Sequence, residues 1–418
     1  MSGERRDGPE GGAASERRPS LLLIAEPMVS PDAVQLKFVS SLARALTSSF
    51  EVTVATTYAG REARCRLESL GFKVLAPSHD HYLLNRLFKR LGLRSESTLW
   101  TEAWLREALF GRNHRLLTQL LGGRRFDFVV NTTNTAALPS DIWWIQGPPL
   151  HVTVASMLQR EGRSAAPAWL LCQLIQWFDD QISERLYASG RMTVAASNYV
   201  RQFYEREGMK VRATIYNLSD LSGFQPRPRE EATPYVLAYI GKETEIDTLY
   251  QLVEEGIRVV GFGGKLVPGM HPEELRNTFD FRGRVDHDRL VSLYSGAEFT
   301  VFPFTNEPFG YVPVESMACG TPVLTYGKEG PAETVLDNET GWLVHTKDEF
   351  VRKASTLWHG FDRLRYSAKA VWRAAEFQPE IQAKMLANLL LSSRVPSKRT
   401  LPPARPPWRL KFRNPVVQ

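Results

Sequence analysis

The chain has 418 residues, 43% of them hydrophobic and 11% aromatic, enough to build two or three packed domains and too apolar for wholesale disorder. Three widely spaced cysteines (Cys65, Cys172, Cys319) exclude a disulfide scaffold and a four-cysteine zinc module. The net charge of +6 is uneven: Tyr82–Arg125 carries nine Lys/Arg against three acids, Ile381–Gln418 carries eight Lys/Arg and no acid, and the remainder sums to −8. That distribution argues against a nucleic-acid-coated domain and for two local anionic contacts, an anionic membrane surface among them.

Residues 1–19 are poor in apolar side chains and read as a disordered leader, with no secretory stretch in it. No apolar run reaches 18 residues; the best, near Ala168–Phe178, is interrupted by Gln173 and Gln176, so no helical span is expected. The first apolar run, from Leu21 to Pro27, reads as a buried strand. A helix over Val34–Leu46 and a strand over Glu51–Thr57 complete a βαβ unit, which implies a parallel sheet. Lys73–Ala76, Phe126–Asn131, Asp141–Gln146 and Met192–Ala196 read as further strands of that sheet. Gly223–Pro234 is charged and proline-rich, the best linker in the chain. After it the pattern restarts, with strands at Tyr235–Ile240, Ile257–Gly261, Phe279–Arg282, Phe299–Phe304 and Pro322–Tyr326. Helices are expected near Ile246–Glu255, Arg289–Ser295, Pro313–Cys319, Arg363–Ala375 and Glu380–Ser392. The expected division is leader 1–19, first domain 20–222, linker 223–234, second domain 235–376, a helix at 377–393 returning to the first domain, and a basic proline-rich tail at 394–418.

Between Tyr82 and Leu91 an apolar face (Leu83, Leu84, Leu87, Phe88, Leu91) opposes a basic one (Arg86, Lys89, Arg90), and Trp100, Trp104, Leu105, Ala108 and Leu109 repeat the pattern. Such helices suit a bilayer interface, and equally a helix packed on its own core with a solvated face.

The stretch Phe302–Gly320 (FPFTNEPFGYVPVESMACG) is the most informative. A polar loop with Glu307, Phe309 and Gly310 follows a strand, and Glu315, eight residues after Glu307, is expected in the first turn of the next helix. Loops at the carboxyl ends of parallel strands are where open α/β sheets bind ligands, and a helix N-terminus suits a phosphate. A carboxylate at a helix start is also stabilised by the dipole alone.

The spacing Glu307-x7-Glu315, with MACGTPVLTY and GPAETVLDNETGWLV after it, resembles the retaining GT-B-fold glycosyltransferases of the group-1 family. The match is dense over Val301–Val344; AASNYVRQFYE, TIYNLSDLS and YIGKETEIDTLYQL match more weakly. The resemblance implies two Rossmann-like domains facing a central cleft. It implies a hexose transfer from a nucleotide sugar (GDP- or UDP-linked) to a glycan, lipid-linked or otherwise membrane-exposed; from the few cysteines, the missing secretory stretch and the basic segment, the expected setting is the cytoplasm, peripheral on the inner face of a membrane. By it Glu307 and Lys242 are catalytic, while Glu315 holds the ribose, with Phe309, Gly310, Tyr311, Gly283 and Val285 lining the donor site. The family's Arg and Lys, five residues apart, become Lys242 and Asp247 here, so one phosphate-binding charge is lost unless Lys265 or another residue replaces it. Where lipid-sugar relatives carry His-x-Pro, the sequence has Gln146-Gly147-Pro148; Gln146, the nearby His151 and Ser30 are acceptor-side candidates, though a loop histidine more often has no role. No metal and no cofactor are expected: Asp286-His287-Asp288 reads as a helix cap, His79-Asp80-His81 lacks further ligands, and GFGG at Gly261–Gly264 fails the dinucleotide spacing. An epimerase or phosphorylase of the same fold, or a non-catalytic sugar-nucleotide-binding protein, remains as an alternative.

Overall fold

A computed structural model describes residues 17–28, 34–90, 96–160, 166–241, 244–264 and 272–393. Among them the chain runs β1 (Ser20–Ala25), α1 (Val34–Leu46), β2 (Glu51–Thr56), α2 (Arg61–Ser69), β3 (Lys73–Leu75), α3 (Leu83–Arg90), α4 (Glu96–Phe110), α5 (Arg112–Leu121), β4 (Phe128–Asn131), β5 (Ser140–Ile145), α6 (Leu150–Arg160), α7 (Ala166–Ser189), β6 (Gly190–Ala195), α8 (Asn198–Arg206) and β7 (Ala213–Thr214). These strands form one parallel sheet in the order β3-β2-β1-β4-β5-β6-β7. The chain continues through β8 (Val236–Tyr239), α9 (Ile246–Glu254), β9 (Val259–Phe262), α10 (Pro272–Thr278), β10 (Asp280–Phe281), α11 (His287–Gly296), β11 (Thr300–Phe302), α12 (Tyr311–Ala318), β12 (Val323–Tyr326), α13 (Pro331–Thr334), β13 (Gly341–Val344), α14 (Lys347–Trp358), α15 (Arg363–Ala375) and α16 (Pro379–Ser392). Its parallel sheet runs β10-β9-β8-β11-β12-β13. Both sheets are covered by helices on both faces, so their strands are apolar on both sides: Leu21 to Ala25 of β1 are all buried.

Each sheet reverses strand order next to its first strand, between β1 and β4 and between β8 and β11. A crevice opens there at the carboxyl ends of the strands. The two sheets are therefore two doubly wound units of the GT-B kind. The last helix, α16, places Ala383, Leu386, Ala387 and Leu390 in the core of the first sheet, beside Leu36, Val39 and Leu42 of α1.

The proline-rich stretch between the sheets is fastened rather than loose. Arg227 pairs with Asp288, Arg229 with Glu298, Glu230 with Arg289, and Glu231 with Arg258, Arg282 and Arg289. A network of this kind carries weight that isolated surface pairs do not.

Two expectations about helices need correction. Pro313 does not open α12; the helix starts at Tyr311, because Gly310 takes φ 93° and turns the chain inward two residues earlier. Glu315 is therefore its fifth residue and lies in the second turn. In α4, Trp104 is buried and Trp100 half-buried, but Leu105 and Leu109 point to solvent, and Glu102 and Glu107 occupy the inner face. The indole N–H groups fix this rotation, since Trp100 donates to Glu26 (3.3 Å) and Trp104 to Asp179 (2.8 Å). Strand β13 and the long α7 were not anticipated. Glycine at Gly341 weakened the strand signal, and its reason is steric: a Cβ there would lie 2.1 Å from the Val323 carbonyl oxygen.

Candidate donor and acceptor site

The β11–α12 loop is held in shape by its own backbone. The Phe309 and Gly310 N–H groups donate to Glu307 Oε1 (3.3 and 3.0 Å). The neighbouring turn after β12 closes on it from outside: Glu307 N–H donates to Glu329 Oε2 (2.8 Å), and Gly330 N–H donates to the Glu307 carbonyl (2.9 Å). Asn306 and Glu329 both hold positive φ (61° and 62°), a strained conformation for side-chain-bearing residues that a binding loop retains when its surroundings enforce it. Gly330 is obligatory here, because a Cβ would meet the Phe309 backbone nitrogen at 2.3 Å. Phe309 itself is buried, its ring edge-on to Tyr311 (5.1 Å) and to Phe377 (5.4 Å).

Glu315 projects from the second turn of α12 and accepts a hydrogen bond from the Tyr294 hydroxyl (3.1 Å). Burial pushes its carboxyl up to about 7, opposed only partly by that hydroxyl and by the charge of Lys37, which α1 brings from the first sheet. Tyr311 lies near both Glu307 and Glu315, and burial raises its hydroxyl well above the usual range. Glu307, Phe309, Gly310, Tyr311 and Glu315 are thus brought together. Gly283 (φ 65°) and Val285 lie at the end of β10, with Val285 packed in the cluster of Tyr294 and Cys319. Lys242, Lys265 and Ser30 lie outside the described residues. Asp247 is exposed in the first turn of α9, where its charge suits the helix dipole.

Asp286 caps α11, its Oδ1 accepting from Arg289 N–H at 2.8 Å, and Asp288 pairs with Arg227. Asp80 accepts from Tyr82 N–H, a local turn. Gly263 allows the chain to pass the Ile240 carbonyl, which a Cβ would meet at 2.1 Å.

Across the cleft, the loop after β5 approaches the β11–α12 loop: a Cβ on Gly147 would lie 4.0 Å from Pro308 Cγ. Gln146 beside it is half-buried, its amide donating to the Trp144 carbonyl (3.4 Å). His151, at the start of α6, is oriented by a residue the sequence reading missed. Asp179 of α7 accepts from His151 N–H (2.6 Å), His151 Nδ1 (3.0 Å) and Trp104 Nε1 (2.8 Å). A neutral ring that donates to this carboxylate through Nδ1 presents its lone pair on Nε2. Asp180, next in the chain, is raised to about 6 by burial and by the nearby charge of Glu207, with His151 acting in the opposite sense.

A second missed carboxylate, Glu26, follows β1 at the first sheet's switch point. It accepts from Asn134 N–H (2.7 Å), from the Thr135 hydroxyl and from Trp100 Nε1, and burial raises it to about 7. No run of neighbours in sequence announces either Glu26 or Asp179, since their partners lie on other elements.

Residues 266–368 match the family model of glycosyl transferases group 1. D-inositol 3-phosphate glycosyltransferase of Segniliparus rotundus is 25% identical over 230 residues, which make up 48% of this chain and 50% of that protein. The chain thus spans about half the length of the curated relatives it matches, or less. In fold, it superposes on sucrose-phosphate synthase from Thermosynechococcus elongatus (TM-score 0.59, 17% identity, 90% of this chain and 99% of that one). Anabaena HepE in complex with UDP-glucose is equally close (TM-score 0.58, 14% identity, 90% and 100%). The fold is GT-B, and the match to the group-1 glycosyl transferases lies within its second half, over residues 266–368.

Proposed function

We propose that the protein is a retaining glycosyltransferase that moves a hexose from a nucleotide sugar to a glycan acceptor. The observation that carries this reading is the pairing of Glu307 and Glu315 at the second switch point, eight residues apart on one strained loop and helix. Glu315 takes the ribose hydroxyls. Glu307 and the Phe309–Gly310 backbone take the transferred sugar, with the carboxylate moving off its own loop amides as ligand hydroxyls replace them. Lys242 stands at the diphosphate in this reading, where breaking the glycosyl–phosphate bond leaves negative charge that needs a cation in place. The leaving phosphate itself receives the acceptor proton, so no separate base is assigned. HepE was solved with UDP-glucose, which supports a nucleotide-sugar ligand on this fold.

The test is direct. With UDP-glucose and GDP-mannose as donors, Glu307→Ala and Glu315→Ala each lower turnover by at least about a hundredfold while leaving the thermal midpoint near wild type. Full activity in both variants removes the assignment. Tight donor binding by calorimetry, without turnover on any acceptor, favours a non-catalytic binding protein, the reading that Asp247 and Gln146 support.

The acceptor belongs on the first sheet, facing Gln146 and His151, and we assign it to a membrane-exposed glycan. Leu83, Leu84 and Leu87 of α3 and Leu105, Leu109 and Phe110 of α4 are exposed, with Arg86 and Arg112 beside them. Two of the three acids of this segment, Glu102 and Glu107, are buried and so are not part of that exposed face. Changing Arg86, Lys89 and Arg90 to Glu abolishes flotation with anionic liposomes and spares neutral ones; unchanged anionic binding sinks the membrane assignment.

A further inference from the structure

Glu333 lies on α13, three residues beyond the Gly330 that grips Glu307, and its carboxylate crosses from the second domain to the first. Its Oε2 accepts from Asn198 N–H at 2.8 Å and its Oε1 from Tyr199 N–H at 2.7 Å. These are the first two amides of α8, groups that a helix leaves without internal partners. The third, Val200 N–H, is taken by the Ser197 hydroxyl (3.1 Å). One helix end is therefore capped twice, by its own serine and by a carboxylate from the opposite domain. The helix dipole favours the anion, and both bonds are charge-assisted.

On its own side Glu333 is braced. Arg373 of α15 donates to the Glu333 carbonyl (2.5 Å) and to the Thr334 carbonyl (3.0 Å). The Tyr216 hydroxyl bonds the Glu333 side chain, and burial with that carboxylate raises it above its ordinary range. Tyr216 stacks edge-on with Phe377 (5.5 Å), and Phe377 with Phe309 of the donor loop (5.4 Å). The same cap brings Tyr199 to the cleft. Its ring packs on Phe203 (5.0 Å), and burial together with the charges of Glu329 and Glu307 raises its hydroxyl strongly.

We infer that Glu333 is a positioning residue that fastens the first domain to the segment carrying the donor loop, and so sets the closed geometry of the cleft and delivers Tyr199 to Glu307 and Glu329. The contact needs no ligand, so it is read independently of the function proposed above; only its effect on turnover rests on that reading.

The test uses the full chain as wild type, Glu333→Gln and Glu333→Ala. Glutamine preserves size and one acceptor oxygen but loses the charge and one of the two bonds, so it remains informative should the alanine variant fold poorly. In hydrogen exchange, the amides of Asn198 and Tyr199 exchange about tenfold faster or more in Glu333→Ala and by a smaller factor in Glu333→Gln. In small-angle scattering the radius of gyration rises, while UDP and GDP stabilise the variants as they do wild type and turnover falls. Wild-type exchange at Asn198–Tyr199 with an unchanged radius in both variants overturns the inference. So does loosening of the whole second domain to the same degree, which would make Glu333 a local support of α13. Failure of wild type to bind UDP-glucose or GDP-mannose counts against the donor reading alone, and the exchange and scattering results still decide the latch.

Discussion

The two sheets share one strand order up to their last strand, and each has a carboxylate at its switch point, Glu26 after the first strand of one and Glu307 after the fourth strand of the other, yet they build their mouths in different ways. In the second domain the loop after β11 is closed by contacts of short range: Glu307 to Phe309 and Gly310, and the turn at Glu329–Gly330 some twenty residues on. In the first domain Glu26 is held by Trp100, Asn134 and Thr135, and Asp179 by Trp104 and His151. Those partners come from α4, the β4–β5 connection and α6, more than seventy residues away in most cases. The β11–α12 loop, built locally, keeps its shape wherever the domain travels. The mouth of the first domain, assembled from several distant elements, holds only while the whole domain is packed, and it is free to vary element by element.

The sharpest way to break that comparison is to disturb the local loop with a single methyl group. Gly330→Ala puts a Cβ 2.3 Å from the Phe309 nitrogen and 2.4 Å from the Pro308 carbonyl carbon, neither of which can yield without moving Glu307. Turnover falls by two to three orders of magnitude, on the scale of an ångström-level misplacement of a positioning loop. The acceptor mouth is left as it was, so hydrogen exchange around Glu26 and Asp179 matches wild type. An active Gly330→Ala enzyme shows that the loop does not depend on the turn that closes it.

The same difference explains what the sequence could disclose. The bounds of α1 and α15 and the Asp286 cap follow from apolar period and capping chemistry. The donor loop was legible because its residues are contiguous, with Glu307 and Glu315 on one side and the glycines that shape them close by. Asp179 is not, because with Asp180 it follows the apolar run Ala168–Phe178 as a pair of acids that reads as a solvated face, while in the fold three N–H groups converge on it. Glu26 falls inside the apolar run Leu21–Pro27, where one acid before a proline does not stand out. The inner face of α4 was misassigned because periodicity sees Leu105 and Leu109 as core, whereas two buried carboxylates on other elements set the rotation through Trp100 and Trp104. Patterning counts apolar side chains; it does not register a polar partner that arrives from elsewhere.

A smaller effect sharpens the comparison from the acceptor side. Glu26 is almost wholly buried, and burial raises its folded value to about 7 from an ordinary 4.5. The folded state therefore holds the proton more tightly than the unfolded chain, and unfolding releases it between those two values. Stability falls as pH rises through that window: the cost of ionising Glu26 is absent below about 4.5 and fully present above about 7, where it amounts to about 3 kcal/mol. Glu26→Gln removes that slope. Its amide confronts the donors at Asn134 and Thr135, so the variant is less stable than wild type at pH 5 and closes or reverses the gap at pH 8, read from urea midpoints. Glu315, raised to about 7 by the same physics, and Asp180, raised to about 6, titrate over overlapping ranges, so among the described residues wild type carries three such contributions and Glu26→Gln leaves two. If the variant keeps the full wild-type slope, the ionisation of Glu26 is relieved by water or by movement of α4. The acceptor mouth would then be the looser of the two, although every donor around Glu26 is in place.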